Sequence, residues 1–358
     1  LLRSLTRAGK AQQKMLARML KASKPRKPPK PPRPSKPKES AAATPGKWVA
    51  ASFPSLLQQG GGHAQRIAYW LYLPENVPDA VSLHGWPLLV MLHGCRQSAT
   101  QFAQGTRMNA LAEKKGYAVL YPQQSIGAQA QRCWRWYSQS AQSGGSETAL
   151  LIGLIRSICE QYPIDRRRIY ACGISAGAGM AAALALNHPE LIAAVGLHSG
   201  PVFGAAHNAV DALHVMRHGA ALQGDEAIRV LLARRAIETA PGQAGPIPPL
   251  PALLIQGEDD QIVYPINQHQ LARQWLQLNG LPAGAPARVT IKHAGRGQRR
   301  RPYEIHDYLV GRKVLLRVAR IAGIGHAWSG GDPELKFHAQ EGPDASRMML
   351  EFFGKHRR

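Results

Sequence analysis

The residues Arg168-Ile169-Tyr170-Ala171-Cys172-Gly173-Ile174-Ser175-Ala176-Gly177 carry a β-type run directly into a Gly-x-Ser-x-Gly pentapeptide. A small, helix-forming run at 178–186 follows. Strand, pentapeptide and helix in that order form a nucleophile elbow, a strained turn that lifts the serine Oγ above the end of a sheet. Such a turn presses strand backbone against helix backbone, so positions 173 and 177 have no room for a side chain. Alone, the pentapeptide is a weak signal in a chain rich in Gly, Ala and Ser. Its surroundings decide.

Outward from the elbow, apolar runs predict strands at 67–73, 87–92 and 117–121 before it, and at 193–197, 252–256 and 314–321 after it. The run at 87–92 is continuously apolar, as expected of a strand covered on both faces. Helical patterns fall between them, at 102–115, 147–160 with Ser146 as its cap, 225–237, 266–277 and 346–353. Strands alternating with helices predict an α/β fold: a mostly parallel central sheet with helices on both faces. A chain of 358 residues, 44% hydrophobic, is ample for such a core. No run of about 18 apolar residues occurs, so a membrane span is not expected.

The net charge of +23 is concentrated at one end: residues 1–38 hold thirteen Lys and Arg and no acid, leaving +10 for the rest. Residues 1–47 are expected to be a basic arm, an amphipathic helix over 1–22 followed by an extended Lys/Pro run at 24–38, ahead of a domain at 48–358. The arm suits contact with a polymer, granule or other anionic surface. Nucleic acid is disfavoured, because no aromatic residue interleaves the charges before Trp48. The start of the chain has no uninterrupted apolar h-region of the secretory kind. Of the four cysteines, Cys159 and Cys172 sit in apolar runs and read as buried hydrophobes, whereas Cys95 and Cys133 lie in polar loops and would pair in an oxidising compartment.

A serine hydroxyl needs a base to remove its proton, and an imidazole needs a carboxylate to hold its tautomer. Behind a nucleophile elbow the chain order is Ser, then Asp or Glu, then His. The acid is expected in Gly257-Glu258-Asp259-Asp260, an acidic turn after an apolar strand, where three adjacent carboxylates leave the choice open. The base is His326, in Gly323-Ile324-Gly325-His326-Ala327-Trp328-Ser329-Gly330-Gly331. A histidine among glycines just past a strand lies on the edge where open α/β sheets carry their sites. Two backbone N–H groups must face the developing oxyanion. One belongs to Ala176 and the other to Cys95, in His93-Gly94-Cys95 behind the strand at 87–92, with the His93 ring bracing that loop. His84-Gly85 follows no strand and is set aside. His198 and Ser199 read as structural. His214 and His218 stand at i, i+4 but have no acidic or cysteine partner in sequence, so a metal site is not expected. Trp134, Trp136 and Trp328 are expected to line a cleft for an acyl chain or monomer unit, with Trp134 and Trp328 as the substrate contacts.

The run Leu92-His93-Gly94-Cys95 with Gln97, the run Cys133-Trp134-Arg135-Trp136-Tyr137, the elbow, Leu197-His198-Ser199-Gly200 and the glycine-rich run around His326 together resemble the esterases of the poly(3-hydroxybutyrate) depolymerase family. The resemblance spans about residues 50–355. It implies an α/β-hydrolase fold and a cofactor-free serine carboxylesterase acting on polyhydroxyalkanoate or short hydroxyacyl esters, secreted by family habit. With no leader visible, a cytoplasmic location stays open. Feruloyl or acetylxylan esterase is the alternative within the class, and a surface- or nucleic-acid-binding protein working through the arm is the alternative outside it. The spacing Gly257-x-x-Asp260-x-x-Val263 resembles the family pattern and selects Asp260, with Asp259 next. Two departures stand out: Gln256-Gly257 where the family commonly reads His-Gly, and little chain after His326 for a separate substrate-binding module.

Overall fold

The computed structural model describes residues 44–54, 66–238, 248–294 and 301–358. The helix expected over 1–22 and the Lys/Pro run at 24–38 lie outside the described residues. Thr44–Arg358 form one compact unit.

Among the described residues, ten strands build one sheet. They are β1 (Lys47–Pro54), β2 (Arg66–Leu73), β3 (Trp86–Leu92), β4 (Ala118–Gln123), β5 (Ile164–Ile174), β6 (Ala194–His198), β7 (Ala252–Gly257), β8 (Arg288–Lys292), β9 (Tyr303–Val310) and β10 (Lys313–Ile321). Their spatial order is β1-β2-β4-β3-β5-β6-β7-β10-β9-β8. The central run from β4 to β10 is parallel throughout. Antiparallel pairs close both edges. The inner strands carry the continuous apolar runs seen in the sequence, because helices cover both of their faces. The edge strands β1 and β8 were not expected. Mostly exposed, they alternate weakly and mix Lys, Arg, Ser and Thr with their apolar residues, so their strand character comes from pairing with a neighbour.

One face of the sheet packs on α5 (Ser146–Gln161), α6 (Ala176–Asn187) and α9 (Ile266–Leu278), through Leu151, Ile155, Met180, Leu184, Leu271 and Trp275. The other packs on α2 (Ala99–Thr106), α3 (Met108–Lys115) and α10 (Ala345–Phe353), through Phe102, Met108, Met349 and Phe353. The remaining helices among the described residues are α1 (Asp79–Ser82), α4 (Gln139–Gln142), α7 (Ala209–His218) and α8 (Ala221–Glu238). The single helix expected at 102–115 is two: Arg107 turns left-handed at φ 54° and separates α2 from α3. Ser146 is not a cap. It is the first residue of α5, behind Gly145, which offers no side-chain hydrogen bond.

Every residue of α6 from Ala176 to Leu186 is buried. Only a helix of Ala, Gly and a few Leu can lie this deep and this close to β5. A Cβ on Gly173 or Gly177 would run into the Leu92 carbonyl, and on Gly177 also into that of His93. The glycines of the pentapeptide are thus set by contact with β3, the strand that carries the neighbouring loop of the site.

Candidate active site

Four loops at the C-terminal ends of parallel strands converge: those after β3, β5, β7 and β10. Ser175 stands at the end of β5 with φ 58° and ψ −124°. A non-glycine residue in this region costs about 1–3 kcal/mol and persists only where its surroundings hold it. Here the Ser175 N–H donates to the His198 carbonyl at 3.0 Å, and α6 starts at the next residue. Ser175 and His326 line one pocket of about 560 Å³, together with Cys95 and Ala176.

Asp260 follows β7 and is 2% exposed, whereas Glu258 and Asp259 point to solvent. Its Oδ2 accepts from His326 Nδ1 at 2.8 Å and from Gln256 Nε2 at 2.9 Å. Its Oδ1 accepts the Ile262 and Val263 N–H groups, both at 2.9 Å. Burial alone would raise this carboxyl. The hydrogen bond and charge of His326, with the two backbone N–H groups, outweigh it and hold the group below the usual carboxylate range. Gln256, the departure from the family pattern, thus helps to hold the carboxylate, and also donates to the Val263 carbonyl at 2.9 Å. A Cβ on Gly257 would strike the carbonyls of Ile324 and Gly325, so that glycine lets the acid-bearing turn approach the His326 loop.

The loop after β3 is strapped from several sides. The Gly94 N–H donates to Gln97 Oε1 at 2.8 Å, Trp134 Nε1 donates to the His93 carbonyl at 3.1 Å, and a disulfide joins Cys95 to Cys133. The His93 ring spans the loop. Its Nε2 accepts the Gln124 N–H at 3.1 Å, which leaves the proton on Nδ1, facing the Gly94 carbonyl at 2.8 Å. The Ala176 N–H, first in its helix, has no intrahelical acceptor. Both expected donors therefore belong to fixed backbone at the pocket wall.

His198 and Ser199 are fully buried outside the pocket lining. The His198 ring stacks on Trp328 with centroids 5.2 Å apart, and its Nε2 accepts the Ser329 N–H at 3.3 Å. It is a floor under the His326 loop. Burial lowers His93 from 6.5 to about 4, and burial with the His326 charge lowers His198 from 6.5 to about 3. Between pH 6.5 and about 4 the unfolded chain binds protons at these positions that the folded chain does not, so stability falls as pH falls through this window. Unfolding in urea at pH 7 and pH 5 is expected to show a loss of about 2 kcal/mol for each of the two histidines.

Two expected substrate contacts are corrected. Trp134 is 1% exposed and spends its indole N–H on the loop after β3; Trp328 is 0% exposed, edge-on to Phe102 and bonded to Ser346 Oγ. Both are packing residues, because each indole N–H is satisfied inside the protein. The aromatic rings at the pocket are Trp136, as expected, and Tyr137 and Phe337, which were missed. Tyr137 stood in the quoted Cys133–Tyr137 run and was legible there. Phe337 carried no sequence signal; its ring lies edge-on to His326, centroids 6.2 Å apart. His214 and His218 meet, ring centroids 4.7 Å apart, on the helix that borders this pocket but outside its lining.

The model of the esterase PHB depolymerase family matches residues 67–298, a span that includes Cys95, Ser175 and Asp260. The chain belongs to this family. Probable acetylxylan esterase A of Aspergillus fumigatus is 27% identical over 252 residues, covering 69% of this chain and 65% of that protein. Poly(3-hydroxyalkanoate) depolymerase C of Paucimonas lemoignei is 27% identical over 261 residues, covering 72% and 58%. The chain thus spans less than two thirds of the length of these two relatives. Among solved structures, an acetyl xylan esterase from Aspergillus awamori superposes with a TM-score of 0.61 at 21% identity, over 80% of this chain and 94% of that one. The fold is that of the α/β-hydrolases. His326 lies beyond the matched span, and the sheet brings it to Asp260.

Proposed function

We propose that the protein is a serine carboxylesterase that works through an acyl-enzyme. The observation that carries this reading is the 2.8 Å bond between His326 Nδ1 and a buried Asp260, in a pocket that also contains an elbow serine. His326 takes the Ser175 proton on Nε2 while Oγ attacks the ester carbonyl. Asp260 holds the imidazole in the required tautomer and stabilises the imidazolium. The oxyanion is received by the N–H groups of Cys95 and Ala176. His326 then protonates the leaving alcohol and activates the water that frees the acid.

Hydroxyalkanoate or other short hydroxyacyl esters are the leading substrates, and the depolymerase among the relatives supports them. Acetylxylan is the second reading, supported by the fungal relatives. The pocket favours the first, since about 560 Å³ with Ile174, Leu213, Met216 and Ile262 in its wall exceeds the needs of an acetyl group. The Cys95–Cys133 disulfide supports an oxidising, extracellular setting. The basic arm at 1–47 fits contact with a polymer or granule surface. Incubation with diisopropyl fluorophosphate followed by peptide mass spectrometry tests the mechanism. A single adduct on the Ser175 peptide is expected, and an unmodified Ser175 in folded protein would overturn it.

A further inference from the structure

The pocket lining is mixed: it holds the apolar Ile174, Ala212, Leu213, Met216, Ile262 and Phe337 and the polar Arg96, Gln129 and Gln131. Among the described residues, Arg96 is the only permanently charged side chain in the lining, and no carboxylate faces it there. Its position is built. The residue is left-handed at φ 65°, its N–H donates to the Gln131 carbonyl at 2.6 Å, and the preceding residue is fastened through the Cys95–Cys133 disulfide. A backbone held this firmly fixes where the side chain leaves the loop, at the pocket lining. Among the described residues the exposed guanidinium has neither an ion-pair partner nor a hydrogen-bond acceptor. An arginine beside the Cys95 amide, unpaired and facing a pocket without acids, is matched by an anion on the substrate.

Resting on the esterase reading, we propose that Arg96 is a specificity residue that receives a carboxylate carried next to the scissile ester. The favoured substrates are then short hydroxyacid oligomers with a free carboxyl end. A carboxylate fits the planar guanidinium fork with two N–H donors, whereas a neutral ester or amide end offers only one weak acceptor. Because Arg96 is exposed, solvent and salt reduce the gain, and the preference is set at about tenfold.

The test compares kcat/KM for the linear dimer of 3-hydroxybutyrate with that for its terminal carboxamide, which has nearly the same shape and no charge. Free hydroxyacid is measured by chromatography, with p-nitrophenyl butyrate run alongside. The wild-type ratio is expected near ten at low salt and lower at high salt. Arg96→Lys should retain a clear preference, and Arg96→Gln should bring the ratio close to one. A wild-type ratio of one, or an unchanged ratio in Arg96→Gln, overturns the assignment while turnover of p-nitrophenyl butyrate leaves the esterase standing. Folded protein that turns over none of the three overturns both.

Discussion

Replacing Ser175 by alanine is expected to lower kcat for p-nitrophenyl butyrate by about four to six orders of magnitude, with the fold intact by circular dichroism. The size follows from the proposed division of labour. Without Oγ there is no acyl-enzyme, and His326 and Asp260 have nothing to activate, so what remains is binding and the N–H groups of Cys95 and Ala176. The strain at φ 58° adds a second readout. Alanine keeps the strained conformation, whereas glycine adopts it freely, so Ser175→Gly should be equally inactive yet unfold at a higher temperature than Ser175→Ala. Turnover in Ser175→Ala above about one per cent of wild type would overturn the nucleophile assignment.

Asp260→Asn is expected to reduce kcat by about 10⁴ while leaving KM within a few-fold. Asparagine preserves the shape but turns an N–H₂ group or an uncharged carbonyl toward His326, so the ring loses the partner that fixes its proton on Nδ1 and stabilises its cation. The neighbouring carboxylates supply the control. Glu258 and Asp259 face solvent, and neither bonds to His326. Glu258→Gln and Asp259→Asn should therefore stay within about twofold of wild type. Loss of activity in Asp259→Asn with retention in Asp260→Asn would move the acid by one residue.

That choice marks where sequence stops deciding. Asp260, Asp259 and Glu258 are adjacent on one turn, and composition treats them alike. What separates them is the parallel register of β7 on β10, Gly257 opposite Ile321, which brings the turn beside a loop 66 residues away in the chain. The two tryptophans of the Cys133–Tyr137 run show the same limit. Trp134 and Trp136 are two residues apart and chemically identical, but the path of the loop sends one indole to the His93 carbonyl and the other to the pocket. Trp328, two residues from His326, is turned into the core under it.

Strongly local features needed no partner to be read. The elbow is legible because a Gly-x-Ser-x-Gly between strand and helix is a short local pattern, and the inner strands because burial on both faces writes a continuous apolar run. The edge strands β1 and β8, and β9 next to β8, were not, since their conformation depends on hydrogen bonds to neighbouring strands rather than on their own burial. By itself the sequence determined the α/β class and singled out the candidate nucleophile, the candidate histidine and the loop behind β3, because in each case the chemistry requires particular residues at short spacing. How Asp260, favoured by the family spacing, reaches His326, which aromatic rings face the pocket and that Arg96 stands unpaired among the described residues were decided only by tertiary structure, where side-chain direction and long-range contact are set.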